Sequence, residues 1–220
     1  MTFQDLKHPS LPADIELVRA YFRHVERESM AALEIRNPHI EPRVPLSVRA
    51  GARPAAILMP LVIARAGSAP RLLVTRRQAH IRFSGHICFP GGTSDPVDHS
   101  PVDTALRESQ EEIGLDPGRV TVLGKLGDYY TQTGYRITPV VGVVERPVRL
   151  TPSPDEVAQI HEISLARVLD ARSYHLTIRG EDRGHFAFYE GNVRIGGPTA
   201  SILIGFYEEL LSFKGLIDRS

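Results

Sequence analysis

Three carboxylates in the stretch Arg107-Glu108-Ser109-Gln110-Glu111-Glu112-Ile113-Gly114 stand where a helix would gather them on one face. Glu108 precedes Glu111 by three positions and Glu112 by four, the two spacings at which side chains meet on a helical surface. Like charges so placed repel, and a hard cation with oxygen ligands is the usual compensation. No Cys or His stands at tight spacing beside them, so the chemistry points to Mg2+ or Mn2+ rather than Zn2+. Upstream lies the pair Gly91-Gly92, where a turn without side chains lets the backbone approach a phosphate or a metal closely. Together these residues suggest cleavage of a diphosphate, whose negative charge must be neutralised before a hydroxide can attack.

The ends of the helix that must carry this face are legible. Ser100 reads as its N-cap, Pro101 as its first residue, Asp103 as a capping-box acid and Gly114 as its stop. Val102, Leu106 and Ile113 form a separate apolar stripe suited to packing on a sheet.

Gly92 through Leu115 resembles the box of the Nudix hydrolases, G-x5-E-x7-R-E-U-x-E-E-x-G-U with U apolar, matching at Gly92, Arg107, Glu108, Glu111, Glu112, Gly114 and Leu115. Asp98 replaces the first glutamate, eight residues rather than seven separate it from Arg107, and Ser109 takes the apolar position. The resemblance implies an α/β fold, the Nudix α/β/α sandwich with a mixed β-sheet between helices. It also implies hydrolysis of a nucleoside diphosphate linked to another group. Glu108, Glu111 and Glu112 would be ligands of Mg2+ or Mn2+, Arg107 would orient a glutamate by a salt bridge, and Asp98 would be peripheral. Glu156, beyond the Pro-rich tract Thr151–Asp155, is the candidate general base.

Leu73-Val74-Thr75-Arg76-Arg77-Gln78, followed by Arg82, Gly85 and Phe89-Pro90-Gly91-Gly92, resembles the element L-L-T-x-R-[SA]-x3-R-x3-G-x3-F-P-G-G of the coenzyme A diphosphatase branch. Val74 and Gln78 depart from it, and two residues rather than three separate Arg82 from Gly85. The implied substrate is coenzyme A or an acyl derivative, cleaved to 3′,5′-ADP and 4′-phosphopantetheine, with Arg77, Arg82, Gly91 and Gly92 binding it. Arginine suits the task, because its planar fork matches phosphate. Near the C-terminus, Ile195-Gly196-Gly197-Pro198-Thr199-Ala200 resembles that branch's I-W-G-x-T-A, with Gly196 in place of Trp. The alternatives are a Nudix diphosphatase acting on ADP-ribose or dinucleoside polyphosphates, and a non-catalytic nucleotide sensor.

The rest of the chain fits one compact enzyme. Its 220 residues, 42 % hydrophobic, can bury a substantial core. Lys and Arg number 26, as do Asp and Glu, so no net field draws in nucleic acid. Cys88 stands alone, which suits a reducing compartment. The longest apolar run, Ala55–Ala64, is too short to span a bilayer and holds Pro60. No targeting signal is apparent at either end, and the cytoplasm is the expected location. The expected partner is a small nucleotide, with no nucleic acid and no membrane, and a homodimer is left open.

Periodicity predicts a helix within Ala13–Met30, a connector from Asn37 to Pro54, and strands at Ala55–Ala64, Leu72–Arg76, His86–Phe89, Val120–Tyr130 and Ile137–Glu145. A helix over Leu165–Ala171, short strands near Tyr174–Ile178, His185–Tyr189 and Asn192–Ile195, and a closing helix Thr199–Phe213 complete the chain. The expected organisation is an N-terminal helix and connector over 1–50, a Nudix hydrolase domain over 51–213 and a tail over 214–220.

Overall fold

The computed structural model describes residues 9–29, 34–35, 44–64, 69–178 and 184–219, so Met30 and residues 37–43 of the expected connector lie outside the described residues. At the centre is strand β1 (Arg53–Ile63), paired in parallel along its whole length with β7 (Tyr135–Glu145). On its other side β1 meets β4 (Gly91–Thr93) through Ala55–Ile57 and β2 (Arg71–Arg77) through Leu61 and Val62. Pro60 falls between these two pairings, where its missing N–H removes no ladder bond on that side. β2 also pairs antiparallel with β3 (Ile87–Cys88) and β8 (Val157–Ser164), while β5 (Val120–Lys125) and β6 (Tyr129–Tyr130) pair antiparallel with β7. The sheet is therefore mixed.

Both faces of this sheet are covered, as the apolar run in β1 requires. Ala56, Leu58 and Val62 point to one side, where they pack with Leu73, Val140 and Val144 against Ala105 and Ile113 of α3 (Pro101–Ile113). Met59 and Leu61 point to the other, into a larger core with Val18 and Phe22 of α1 (Ile15–Arg27) and Phe206 and Leu210 of α5 (Gly197–Ile217). Each fully buried side chain of this size contributes about 1.5–3 kcal/mol. A small antiparallel sheet of β9 (Tyr174–Ile178), β10 (Gly184–Glu190) and β11 (Val193–Gly196) joins that second layer, with Phe188 and Ile195 in its core. A mixed sheet between helices is the α/β/α sandwich expected.

Several elements differ from the sequence-based reading. A short helix, α2 (Leu46–Ala50), interrupts the connector. The expected strand Val120–Tyr130 breaks into β5 and β6, because the register against β7 slips between Lys125, paired with Val140, and Tyr129, paired with Ile137, so that residues 126–128 stand opposite two residues of β7. The helix at Leu165 ends at Val168 as α4, and α5 runs on to Ile217. β8 is absent from the sequence-based reading altogether, and it matters for the site. Among the described residues no helix is long and apolar enough to cross a membrane.

Candidate active site

Helix α3 begins as its sequence implies. Ser100 Oγ accepts from the Asp103 N–H at 3.3 Å, Asp103 Oδ2 accepts from the His99 N–H at 3.0 Å, and Pro101 opens the first turn. It ends at Gly114, whose φ of 66° is the left-handed conformation that glycine adopts freely. Ser109 is buried, and its hydroxyl donates to the Ala105 carbonyl at 2.6 Å, so a polar residue fits the expected apolar position without an unpaired group. Glu108 and Glu112 meet the turn at Gly91-Gly92, Glu112 from the buried flank of the helix, while Glu111 lies on its exposed side.

That turn fits against the carboxylates without spare room. A Cβ on Gly92 would lie 2.5 Å from Cδ and Oε1 of Glu108, and one on Gly91 would lie 2.4 Å from the Ala56 carbonyl oxygen. At Gly91, whose φ is 149° and whose Cβ would meet backbone, only glycine allows β4 to lie this close to β1. The Gly91 N–H donates to Glu112 Oε2 at 3.3 Å, and Arg77 Nη1 lies 3.9 Å from Glu112 Oε1.

Arg107 organises the other two glutamates. Its Nη1 lies 3.0 Å from Glu111 Oε2 and 3.1 Å from Glu108 Oε1, and its Nη2 donates to the Thr93 carbonyl at 3.2 Å. The same guanidinium forks onto Asp98, with Nε to Oδ1 and Nη2 to Oδ2 both at 3.0 Å. Asp98 is therefore no bystander. Its side chain is 4 % exposed, and it also accepts from the Thr104 hydroxyl and the Asp95 N–H. The Arg107 hydrogen bonds hold its carboxyl well below the usual carboxylate range, and Asp98 in turn raises Arg107.

Glu156 stands close enough to be felt by this cluster. Burial pushes the Glu112 carboxyl up to about 8, with the charges of Glu156 and Glu108 adding to the effect and the Gly91 N–H and Arg77 opposing it. Burial also raises Glu108, opposed by Arg107 and reinforced by Glu111 and Glu156. The backbone explains how a residue so far along the chain arrives here. Ser153 N donates to the Glu112 carbonyl at 2.8 Å, and Gln78 donates through its backbone N–H to the Glu156 carbonyl and through Nε2 to the Pro154 carbonyl, each at 2.9 Å. Gln78, a departure from the expected pattern, thus ties the end of β2 to the loop that carries Glu156.

Arg82 forms no ion pair with the carboxylates among the described residues. Its guanidinium carbon lies 4.8 Å from the centre of the Phe83 ring, and its carbonyl accepts from Arg77 Nε at 3.2 Å. The rings of Tyr130 and Tyr135 are covered by the guanidinium carbons of Arg49 and Arg53 at 4.2 Å and 4.4 Å from the ring centres. The sequence signal that marks Asp98 is its place in the box, and its shorter side chain hides its importance.

The NUDIX domain family matches residues 53–183, the stretch that holds the three glutamates, Asp98, Arg107, Arg77 and the Gly91-Gly92 turn. The chain belongs to the Nudix family. Two curated Nudix relatives, both named "Uncharacterized Nudix hydrolase NudL", are each 40 % identical over 156 residues and 69 % of this chain. The one from Photorhabdus laumondii is covered over 81 % of its length and the one from Yersinia pestis over 76 %. Among solved structures, the Nudix hydrolase RenU of M. smegmatis is 22 % identical with a TM-score of 0.44, covering 52 % of this chain and 71 % of its own. A C. elegans Ap4A hydrolase is 19 % identical with a TM-score of 0.43, covering 51 % and 80 %.

Whether the Nudix carboxylates suit a cation is a question of donor chemistry and placement. As the side chains stand, no three His, Cys, Asp or Glu groups among the described residues converge at ligand spacing, because Arg107 draws Glu108 and Glu111 to itself. The donors themselves are all oxygen, crowded on one face, and include a buried glutamate whose charge burial opposes. That set fits a hard divalent ion.

Proposed function

We propose that this Nudix hydrolase is a Mg2+- or Mn2+-dependent diphosphatase that cleaves coenzyme A or acyl-CoA to 3′,5′-ADP and (acyl-)4′-phosphopantetheine. The observation that carries the reading is the meeting of Glu112 with Arg77 and with the Gly91 N–H. It joins the carboxylate face, which serves diphosphate cleavage, to the upstream element that resembles the coenzyme A branch.

Glu108, Glu111 and Glu112 would hold the cation, which when bound supplies charge neutralisation of the diphosphate and a more acidic water. Arg107, anchored by Asp98, keeps Glu108 and Glu111 in place. Arg77 offers Nη groups to the phosphate oxygens, and the Gly91-Gly92 backbone admits the diphosphate close to the helix. Arg82 binds at the outer part of the substrate from the loop after β2. Glu156 accepts the proton of the attacking water at its carboxylate, a role suited to an exposed acid held beside the buried ones.

Purified protein incubated with Mn2+ and coenzyme A should release both products, and neither should form when the metal is chelated. If ADP-ribose or a dinucleoside polyphosphate is cleaved and coenzyme A is not, the substrate is wrong and the reaction class stands. Glu156→Gln should lower kcat about a hundredfold or more with KM little changed, as loss of a general base implies. Wild-type kcat in that variant would remove Glu156 from the mechanism.

A further inference from the structure

An open cavity of about 490 Å3 lies on the other side of β2 from the carboxylates. Arg76 and Arg77 are successive strand residues, so their side chains leave β2 in opposite directions. Arg77 reaches Glu112, and Arg76 lines the cavity. His86 stands beside Arg76, and β10 and β11 supply His185, Asn192, Arg194 and Gly196 from the far wall. The two walls meet because β3 packs against β11.

Among the described residues this lining holds two guanidiniums and two imidazoles and no carboxylate. Arg76 Nε approaches His161 Nε2 at 3.4 Å and Arg194 Nε donates to the Tyr189 hydroxyl at 3.1 Å, and neither arginine forms an ion pair among the described residues. Among the described residues no hydrogen bond or ion pair uses the Nη groups of either, which leaves them to a ligand. Gly196, which replaces the Trp of the pattern noted in the sequence, keeps the space open. A Cβ there would already stand 3.5 Å from Arg194 Nη1, so an indole would occupy the room over the guanidinium.

More than half of the lining residues described lie beyond residue 183, where the family match ends. The cavity is thus built jointly by the Nudix domain and by this chain's C-terminal segment. Its size suits a small-molecule ligand. Paired guanidiniums are matched to the oxygens of a phosphate group.

We propose that this cavity binds a phosphate monoester, held between Arg76 and Arg194 with His86 and His185 completing the donor set. Two sources carry such a group. One is the nucleotide substrate itself, through a monoester remote from its diphosphate, such as the 3′-phosphate of coenzyme A; this source rests on the function proposed above. The other is a separate phosphorylated small molecule.

The test is calorimetric titration of the metal-free full chain with adenosine 3′,5′-bisphosphate and with AMP, in the native protein and in Arg194→Gln and Arg76→Gln. On the same preparations, kcat/KM is measured with Mn2+ for coenzyme A and for its 3′-dephospho form. The native protein should bind the bisphosphate about tenfold more tightly than AMP, and each variant should lose about that factor, as removal of one charge-assisted pair implies. If the substrate supplies the phosphate, the preference for coenzyme A over the dephospho form falls by a similar factor in the variants. If that preference is unchanged while bisphosphate affinity falls, the site stands and its ligand is a separate molecule. Equal native affinity for bisphosphate and AMP, or variants that bind the bisphosphate as the native protein does, overturns the proposal. Failure to hydrolyse either form of coenzyme A would sink the function proposed above and leave the titration to decide the cavity. Arg194 is exposed near the end of β11, so Arg194→Gln decides the matter even if Arg76→Gln fails to fold.

Discussion

Glu108, Glu111 and Glu112 on one side of β2, and Arg76 and Arg194 on the other, are two clusters of like charge handled in opposite ways. The acidic cluster is internally compensated. Arg107 lies between Glu108 and Glu111 and is fixed by Asp98, and Glu112 has the Gly91 N–H and Arg77. The basic cluster has no such partners among the described residues, where a histidine and a tyrosine hydroxyl touch its arginines. A cluster with built-in counter-charges is held in a working geometry before a ligand arrives, whereas one without them gains its compensation from the ligand. The first arrangement suits chemistry and the second suits recognition.

The largest effect expected from testing this contrast is at Glu112. Glu112→Gln should lower turnover on the order of a thousandfold, since it removes a charged oxygen from the cluster while keeping its shape. Thermal stability should hold or rise, because burial already opposes that charge at neutral pH. Bisphosphate affinity in the cavity should stay at the native level. If turnover and bisphosphate binding fell together, the two clusters would be one site and the contrast would be lost.

Gly92→Ala comes next. The added methyl meets the far end of the Glu108 side chain, which can swing away, so melting should change little. Turnover should drop about ten- to a hundredfold, because a misplaced carboxylate spoils the geometry without unfolding anything. An unchanged kcat would show that Glu108 is not needed where it stands.

Asp98→Asn probes the anchor of the acidic cluster. Because Asp98 has a depressed pKa in the folded chain, its contribution to stability is present above the unfolded value of about 4 and is lost as pH falls below it. The variant should be about 2 kcal/mol less stable at pH 7, the figure allowing for solvent around the partly exposed Arg107. The gap from the native protein should narrow as pH drops from 4 toward 3 in chemical denaturation. A gap that stays constant to about pH 3 would mean that Asp98 acts through shape and not charge. Smallest of all, Ser109→Ala should shift stability by under about 1 kcal/mol in either direction, since the hydroxyl only back-bonds within its own helix.

Much of the acidic cluster is legible in the residue spacing alone. The cap at Ser100, the stop at Gly114, the buried stripe and the carboxylate face of α3 all depend on positions within one helix. Asp98 is visible as a box position, but its importance lies in a hydrogen-bonded fork that spacing does not reveal. β8 escapes notice for a definite reason. Val157 pairs with Arg77 and Gln159 with Arg76, so the extra residue Ala158 makes a bulge that breaks the alternation of a strand. Val157 and Ile160 consequently face the same core, and a period of three hides a period of two. Similarly, Val120–Tyr130 reads as one strand because its apolar content gives no sign of the register slip after Lys125.

By itself, the sequence determined the box helix, its carboxylate face, its glycine turn and the family to which they point, because helix geometry and capping act over a few residues. Only the tertiary structure decided that Asp98 anchors Arg107, that Ser153 ties the loop of Glu156 to Glu112, and that Arg76 and Arg194 line one cavity. The two arginines belong to strands of different sheets far apart along the chain. What brings them together is strand pairing and the burial of apolar faces, and neither is written in the spacing of the charged residues themselves.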